Sequence, residues 1–159
     1  MAHITVISVG TLKEKYLCDA IDEYKKRLTQ YARVEEISIK ESRIQNEDDT
    51  SEINRALNEE ADKILSQIPK DSYKIALCVE GKEYDSEALA SIIRKATDTS
   101  GKITFIIGSS HGLSEKVKSE CDLRLSFSRL TFPHQLMRVI LFEATYRSFT
   151  IIHGKRYHK

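Results

Sequence analysis

Two continuous apolar runs, YKIALCVE at 73–80 and KITFIIGSS at 102–110, constrain the fold of this chain more than any other feature. Runs that do not alternate with polar residues are typical of strands buried on both faces, as in parallel sheets covered by helices. The segment between them, DSEALASIIRKATD at 85–98, has apolar residues three and four apart, as one face of a helix requires. The order strand, helix, strand therefore predicts a parallel βαβ unit.

The rest of the chain continues this alternation. HITVISVG at 3–10 is predicted to be a strand, and VEEISIK at 34–40 alternates like an edge strand. An amphipathic helix is predicted after each of them, and the second ends before Pro69. A short helix around SEKVKSE, a strand at DLRLSFS and a long helix with Pro133 in its first turn complete the pattern. Five strands and five helices predict an α/β fold, a three-layer sandwich with a mostly parallel sheet.

Length and cysteine usage limit the class of protein. With 159 residues, of which 40% are hydrophobic, the chain is expected to form one domain over 1–159. No run approaches the roughly 18 apolar residues of a membrane span, and no signal-peptide pattern opens the chain, so we expect a cytoplasmic protein without membrane contact. Cys18, Cys78 and Cys121 lack a CxxC pair, which predicts core residues and neither a disulfide framework nor a zinc site.

Charge is distributed unevenly along the chain, although the net charge is only +1. Residues 35–62 contain ten acidic residues and three basic ones, whereas residues 124–159 contain seven Lys or Arg and a single acid, Glu143. The second segment is therefore a candidate anion-binding surface. Two solvated faces that partly cancel would explain the same pattern.

Ligand sites of parallel α/β sheets lie outside the carboxyl ends of the strands. Three loops at predicted strand ends are therefore candidates, namely 79–86, 107–115 and 127–135. In the second loop, Gly108 and Gly112 enclose a short polar turn where backbone can approach a ligand closely. Simple turn geometry explains the two glycines equally well.

The motifs of several common enzyme classes are missing from these loops. The turn at 107–115 is neither a dinucleotide-binding GxGxxG nor a phosphate-binding GxxxxGKS or GxxxxGKT. His111 has no second ligand at metal spacing, so we expect a loop-surface histidine and no metal. Glu80 is expected to face solvent. The type of catalysis still compatible with the sequence is one in which a bound cofactor is already reactive and the protein positions it against a nucleophile.

Three segments together carry a resemblance to a known family. They are ITVISVGTLKEKYLCDAIDEYKKRL, FIIGSSHGLS and RLSFSRLTFPHQLMRVILFEATYRSFTIIHGKRYHK, in which residues 123–147 are the most specific part. On these motifs the chain is similar to the ribosomal RNA large subunit methyltransferase H family of the SPOUT superfamily, over essentially its whole length. The resemblance implies a SPOUT-type trefoil (alpha/beta) knot, a threaded path that periodicity does not reveal. In that fold the last helix would pack within the knot or against a partner subunit through Leu136, Ile140, Leu141 and Ala144.

The resemblance also implies an activity. It implies a homodimer that uses S-adenosyl-L-methionine to methylate N3 of a pseudouridine in 23S rRNA of the assembled 70S ribosome. Apolar side chains would enclose the adenine of the cofactor, and loop amides and carbonyls would read its edge. The cofactor-binding residues carried over are Ala76, Leu77, Gly108, Phe127, Ser128, Arg129, Leu130, Thr131 and Phe132.

Further roles fall on the segment after the last helix. N3 of a uracil ring carries an imide proton that must leave before the nitrogen attacks a methyl group, so a base or a cation has to assist. By the resemblance, Tyr157 and His158 are the catalytic residues, because a phenol can hydrogen-bond or stack on the base and imidazole titrates near neutral pH. The residues predicted to bind RNA are Arg138, Arg156 and Lys159.

Two other functions remain open. A nucleotide-binding α/β module would bind the cofactor without transferring a methyl group, and a SPOUT methyltransferase of another kind would act on tRNA or on a protein. A monomer would count against either SPOUT assignment, because the resemblance places the active site at a dimer interface.

Overall fold

The computed structural model describes residues 1–158, so the predicted role of Lys159 lies outside the described residues. Strands and helices alternate along the chain, as the sequence predicted. The elements in order are β1 (Ala2–Val9), α1 (Lys15–Leu28), β2 (Ala32–Ile39), α2 (Thr50–Gln67), β3 (Tyr73–Glu83), α3 (Ser86–Thr99), β4 (Lys102–Ile107), α4 (Glu115–Ser119), β5 (Leu123–Ser126) and α5 (His134–Ile152).

The five strands form one sheet in the order β2-β1-β4-β3-β5. Every pair of neighbouring strands is parallel, and β2 lies at an edge, as its alternating pattern predicted. Because all strands run in the same direction, their carboxyl ends share one edge of the sheet. The loops that follow β3, β4 and β5 therefore start from the same edge, where a ligand site is expected.

Helices cover both faces of the sheet, which confirms the three-layer sandwich. Side chains of β4 alternate between the faces: Phe105 packs with Phe142 of α5 on one side, and Ile106 packs with Ile64 of α2 on the other. α1, α3 and α5 cover the first face, with α5 between the other two, while α2 and α4 cover the second. Strands buried between two helical layers have few polar side chains, which explains the continuous apolar runs.

One predicted boundary is wrong. β3 does not end at Glu80 but continues to Glu83, because Leu77 and Lys82 both pair with Leu125 and the four residues between them form a bulge. Gly81 belongs to this bulge and not to a turn, since a Cβ there would lie 2.8 Å from backbone atoms of Arg124. α5 begins at His134, which confirms the predicted start near Pro133, although Pro133 is the N-cap and not a residue of the first turn.

The acidic loop between β2 and α2 is anchored by a buried carboxylate. Glu60 of α2 is 3% exposed, and its Oε2 accepts the backbone N–H of Ser42 at 2.8 Å. Its Oε1 is buried and finds no hydrogen-bond partner among the described residues. Burial raises the pKa of Glu60, and the neighbouring Glu41 adds to that effect. The ionised form of Glu60 is therefore less favourable in the folded protein than in the unfolded chain.

We expect Glu60→Gln to remove this penalty. When folding raises the pKa of a carboxyl, the protonated group stabilises the folded state. This contribution is fully present below the pKa of the unfolded chain, about 4.3, and is lost as the pH rises through the pKa of the folded state. Relative to the wild type, Glu60→Gln should therefore gain free energy of unfolding between pH 5 and pH 8, as measured by urea denaturation. Glu59→Gln is the matched control, because Glu59 is exposed and pairs with Arg55 at the surface. Parallel pH profiles for the wild type and Glu60→Gln would contradict this account.

Candidate active site

A cleft of about 730 Å³ opens at the carboxyl ends of β3, β4 and β5. Its size falls within the range of about 300–1,000 Å³ that is usual for small-molecule sites. Its walls come from the bulge of β3, the loops after β4 and β5, and the first turn of α5. All three loops that the sequence singled out contribute to it.

Most of the predicted cofactor-binding residues line this cleft. They are Leu77, Gly108, Phe127, Ser128, Leu130, Thr131 and Phe132. Ala76 does not, because neighbouring residues of a strand face opposite sides and its side chain is fully buried in the layer covered by α2 and α4. Arg129 is exposed in the loop after β5 and is also absent from the lining.

Gly108 is required by its own loop. A Cβ at this position would lie 2.3 Å from the carbonyl oxygen of Gly112, closer than any real contact. The turn between them is closed by the N–H of Gly112, which donates to the carbonyl of Ser109 at 2.9 Å. Gly112 has φ of +84°, a conformation that favours glycine. The glycine at 108 thus lets the loop fold tightly against itself at the wall of the cleft.

The loop after β5 is held by serine side chains. The hydroxyl of Ser126 donates to the carbonyl of Ser128 at 3.0 Å, and the N–H of Leu130 donates to the hydroxyl of Ser128 at 2.9 Å. This turn leaves the side chain of Leu130 72% exposed at the cleft. An apolar side chain in that position can close over a bound ligand.

Several residues of the cleft were not singled out as site residues from the sequence. Glu80 and Lys118 form an ion pair with each other in its wall, and Met137 enters it from α5. His111 also lines the cleft, half-buried, with its Nε2 at 3.8 Å from Glu47. Glu80 and Lys118 are 38 residues apart in sequence, and no local signal connects them.

The segment after α5 packs back on the helix of its own chain. Arg147 binds Glu143 through Nε at 3.0 Å and Nη2 at 2.6 Å, and its guanidinium lies 4.8 Å from the ring centre of Tyr157. The hydroxyl of Tyr157 donates to Oε1 of Glu143 at 3.1 Å, and its ring meets Tyr146 edge-on at 4.8 Å. Nη1 of Arg147 lies 3.1 Å from Nδ1 of His158. These contacts hold both predicted catalytic residues in defined positions.

The surroundings of these two side chains limit what each can do. Burial, together with Tyr24 and Glu143, raises the pKa of Tyr157 to about 12, so this phenol stays protonated at neutral pH. Because a guanidinium only donates hydrogen bonds, Nδ1 of His158 accepts from Arg147. The neutral imidazole then carries its proton on Nε2. His158 can therefore offer its Nε2–H to a ligand, whereas the hydroxyl proton of Tyr157 is already donated to Glu143.

The cleft and this C-terminal segment lie at opposite ends of α5. Met137 lines the cleft, and Arg147, which holds the segment, follows ten residues later, or about 15 Å along a helix. A single chain therefore does not bring the two groups of predicted site residues together.

The three predicted RNA-binding residues differ in their exposure to solvent. Arg138 is 4% exposed, and its Nη2 donates to the carbonyls of Val9 and Gly10 at 3.0 and 2.7 Å. This position ties α5 to the end of β1 and gives no support to a direct contact between Arg138 and RNA. Arg156 is exposed, and Lys159 is outside the described residues.

Comparison with known proteins identifies the family. Residues 2–158 match the family model described as "Predicted SPOUT methyltransferase". The chain belongs to the SPOUT methyltransferase family. The protein named "Ribosomal RNA large subunit methyltransferase H" from Caldicellulosiruptor bescii is 51% identical over 98% of this chain and 99% of its own length. One of the same name from Shouchella clausii is 48% identical over 99% of both chains, and a "Putative ribosomal RNA large subunit methyltransferase H" from Methanococcus maripaludis is 50% identical over 99% of both.

These matches confirm the resemblance drawn from the sequence motifs. Membership in the SPOUT family also confirms the predicted trefoil-knot fold, for which the all-parallel sheet between helical layers is the framework. After β5, the loop at 127–133 and the first turn of α5 both line the cleft.

The cleft of this SPOUT chain has the chemistry to hold a methyl donor built on adenosine. Leu77, Leu125 and Phe132 offer apolar surface for a purine, while the turns at 108–112 and 127–133 expose backbone and hydroxyl groups. No cluster of His, Cys, Asp or Glu within residues 1–158 is arranged to hold a metal ion. None of the helices in the same part of the chain combines the length and apolar character that crossing a bilayer demands.

Proposed function

We propose that this protein is an S-adenosyl-L-methionine-dependent methyltransferase of large-subunit ribosomal RNA. Its target is N3 of a pseudouridine in 23S rRNA of the assembled 70S ribosome, which places its work in the cytoplasm. The observation that carries the proposal is the cleft at the carboxyl ends of β3, β4 and β5 in a chain of the SPOUT family. The substrate class is supported by the names of relatives that are about half identical over nearly the whole chain.

The proposed site has a division of labour between the cleft and the C-terminal segment. S-adenosyl-L-methionine, when bound, supplies an electrophilic methyl group on sulfur. The cleft excludes water with its apolar walls and fixes the direction of approach. Leu77 and the loop at 127–132 would hold the adenosine, and the Gly108 turn would border it.

The C-terminal segment would prepare the nucleotide base. When the N3 proton passes to solvent water, it leaves negative charge on the uracil ring and its carbonyl oxygens. In this arrangement the Nε2–H of His158 would stabilise that anion when it faces the base, and the hydroxyl of Tyr157 would join it by exchanging its bond with Glu143 for one with the base. Arg147 holds both residues in place, and Arg156, which is exposed, would contact phosphate.

A homodimer completes this site. Arg147, which holds the C-terminal segment, lies about 15 Å along α5 from Met137 of the cleft, so the segment of a second copy would reach the cleft instead. α5 has apolar residues on nearly every side, and Leu136 at 38% exposure, with Ile140 and Ala144 half-buried, is left uncovered while Leu141 enters the core. Tyr16 of the adjacent α1 is 69% exposed. A second copy would cover these side chains.

The test is a methylation assay with defined RNA substrates. Purified protein is incubated with methyl-labelled S-adenosyl-L-methionine and with 70S ribosomes that lack the modification, separated subunits or tRNA, and labelled nucleosides are identified by mass spectrometry. We expect N3-methylpseudouridine from 70S ribosomes and little label in the other samples. Label in tRNA or in protein would contradict the proposed substrate. Cofactor binding without any methyl transfer would favour a binding module.

A further inference from the structure

Two opposite charges stand alone in the wall of the cleft. Among the residues described, Glu80 is the only carboxylate in the lining and Lys118 the only lysine or arginine. They form an ion pair with each other. All other lining residues are apolar, small and polar, glycine or histidine. Recognition of a charged group inside this cleft therefore depends on this pair.

The backbone of β3 is shaped to bring Glu80 into the cleft. Residues 78–81 leave the ladder between β3 and β5, because Leu77 and Lys82 share Leu125 as their partner. The bulge closes against β5 only because residue 81 is glycine. Bulges beside functional sites commonly redirect a side chain, and this one turns Val79 and Glu80 toward the cleft.

Lys118 reaches the same point from α4. Its side chain is 15% exposed, against 55% for Glu80, so its charge is the more strongly desolvated of the two. Val117, the preceding residue, is fully buried and anchors the helix. The pKa of Glu80 is lowered, first by its hydrogen bond with Lys118, so its carboxylate is ionised at neutral pH.

We infer that Glu80 and Lys118 bind the amino-acid portion of the methyl donor. In this subsite the carboxylate of Glu80 accepts from the α-ammonium, and the ammonium of Lys118 donates to the α-carboxylate. This inference rests on the proposed function. An α-amino acid is a zwitterion, so it exchanges one internal ion pair for two complementary contacts and leaves neither charge unpaired. The nucleoside portion meets the apolar walls instead.

The first test compares two ligands on the wild-type protein by isothermal titration calorimetry. S-adenosyl-L-homocysteine carries the amino-acid portion, whereas 5′-methylthioadenosine keeps the nucleoside and lacks that portion. We expect the first to bind at least about tenfold more tightly, as charge-assisted hydrogen bonds contribute on that scale. This comparison does not depend on the folding of any variant.

Variants then assign the difference to the two side chains. Lys118→Met and Glu80→Gln should each weaken binding of S-adenosyl-L-homocysteine about tenfold or more while changing binding of 5′-methylthioadenosine less than about threefold. Lys116→Met is the matched control, because Lys116 lies on the same helix, pairs with Asp62 at 2.5 Å and is absent from the cleft. It should change neither affinity.

The possible outcomes separate this inference from the proposed function. Equal weakening of both ligands by Lys118→Met and Glu80→Gln would overturn the inference, since the pair would then support the nucleoside half or the shape of the cleft. Unchanged binding of S-adenosyl-L-homocysteine would overturn it too, with the proposed function intact. If the wild type binds neither ligand, the proposed function fails and the inference fails with it.

Discussion

Removing residues 155–159 should reduce methyl transfer to ribosomal RNA by about a hundredfold to a thousandfold, the range for loss of a hydrogen-bond donor that stabilises a developing anion. The segment supplies His158, whose Nε2–H would stabilise the base once its proton has left, and Tyr157, whose hydroxyl would exchange Glu143 for the base. Cofactor affinity should stay the same, because the cleft lies at the other end of α5. The measurements are initial rates on 70S ribosomes and calorimetry with S-adenosyl-L-homocysteine.

Point substitutions control for general damage to this segment. Lys155→Ala changes an exposed residue of the same segment and should leave the rate near that of the wild type. His158→Ala should lose most of the activity that the truncation loses. A truncated protein that keeps its activity would remove Tyr157 and His158 from the mechanism.

Mixed dimers test whether the two halves of the site come from different chains. A truncated protomer is paired, by two affinity tags, with a full-length protomer whose cleft is blocked by Gly108→Ala. Neither parent dimer should be active, but the mixed dimer should regain one complete site, since a two-fold interface places each C-terminal segment by the partner's cleft. Light scattering verifies that dimers form. A mixed dimer as inactive as its parents would show that the proposed sharing is wrong.

Gly108→Ala should itself abolish cofactor binding and lower the free energy of unfolding by about 1–3 kcal/mol. The added methyl group would lie 2.3 Å from the carbonyl oxygen of Gly112, and that neighbour is backbone, which cannot rotate away as a side chain would. The turn must open, and the wall of the cleft moves with it. Urea unfolding and calorimetry with S-adenosyl-L-homocysteine measure the two effects.

Gly101→Ala is the matched control for this substitution. Gly101 has φ of +73°, and the nearest atom to its Cβ would be 4.0 Å away, so only backbone strain of about 1–2 kcal/mol is expected. Gly101 directly precedes β4, so it lies at the amino end of that strand, whereas the cleft lies at the carboxyl ends. The substitution should therefore leave cofactor affinity unchanged. Wild-type cofactor affinity in Gly108→Ala would mean that the turn can shift without disturbing the cleft.

Local patterns predicted the framework of the site. The apolar runs at 73–80 and 102–110 indicated buried parallel strands, and parallel strands bring their carboxyl ends to one edge whatever their order in the sheet. That is why the loops at 79–86, 107–115 and 127–135 could be grouped before any contact was known. Motif resemblance added the family and the knot, which periodicity does not encode.

The details of the cleft depend on contacts between distant segments. The bulge at 78–81 exists because β5 pairs on both sides of it, and the strand pattern alone placed the strand end too early. Lys118 meets Glu80 only after α4 has packed on the sheet. Arg138 follows the cleft loop in sequence and resembles a surface arginine, yet it is buried against carbonyls 128 and 129 residues away.

Sequence by itself determined the elements, their parallel arrangement and the edge where the cleft forms, because side-chain periodicity and strand direction are local properties of the chain. Tertiary structure alone decided which side chains face one another in the cleft and where Tyr157 and His158 lie, at the far end of α5. Such contacts join residues far apart in sequence, and their free energies depend on packing and desolvation that no local pattern records.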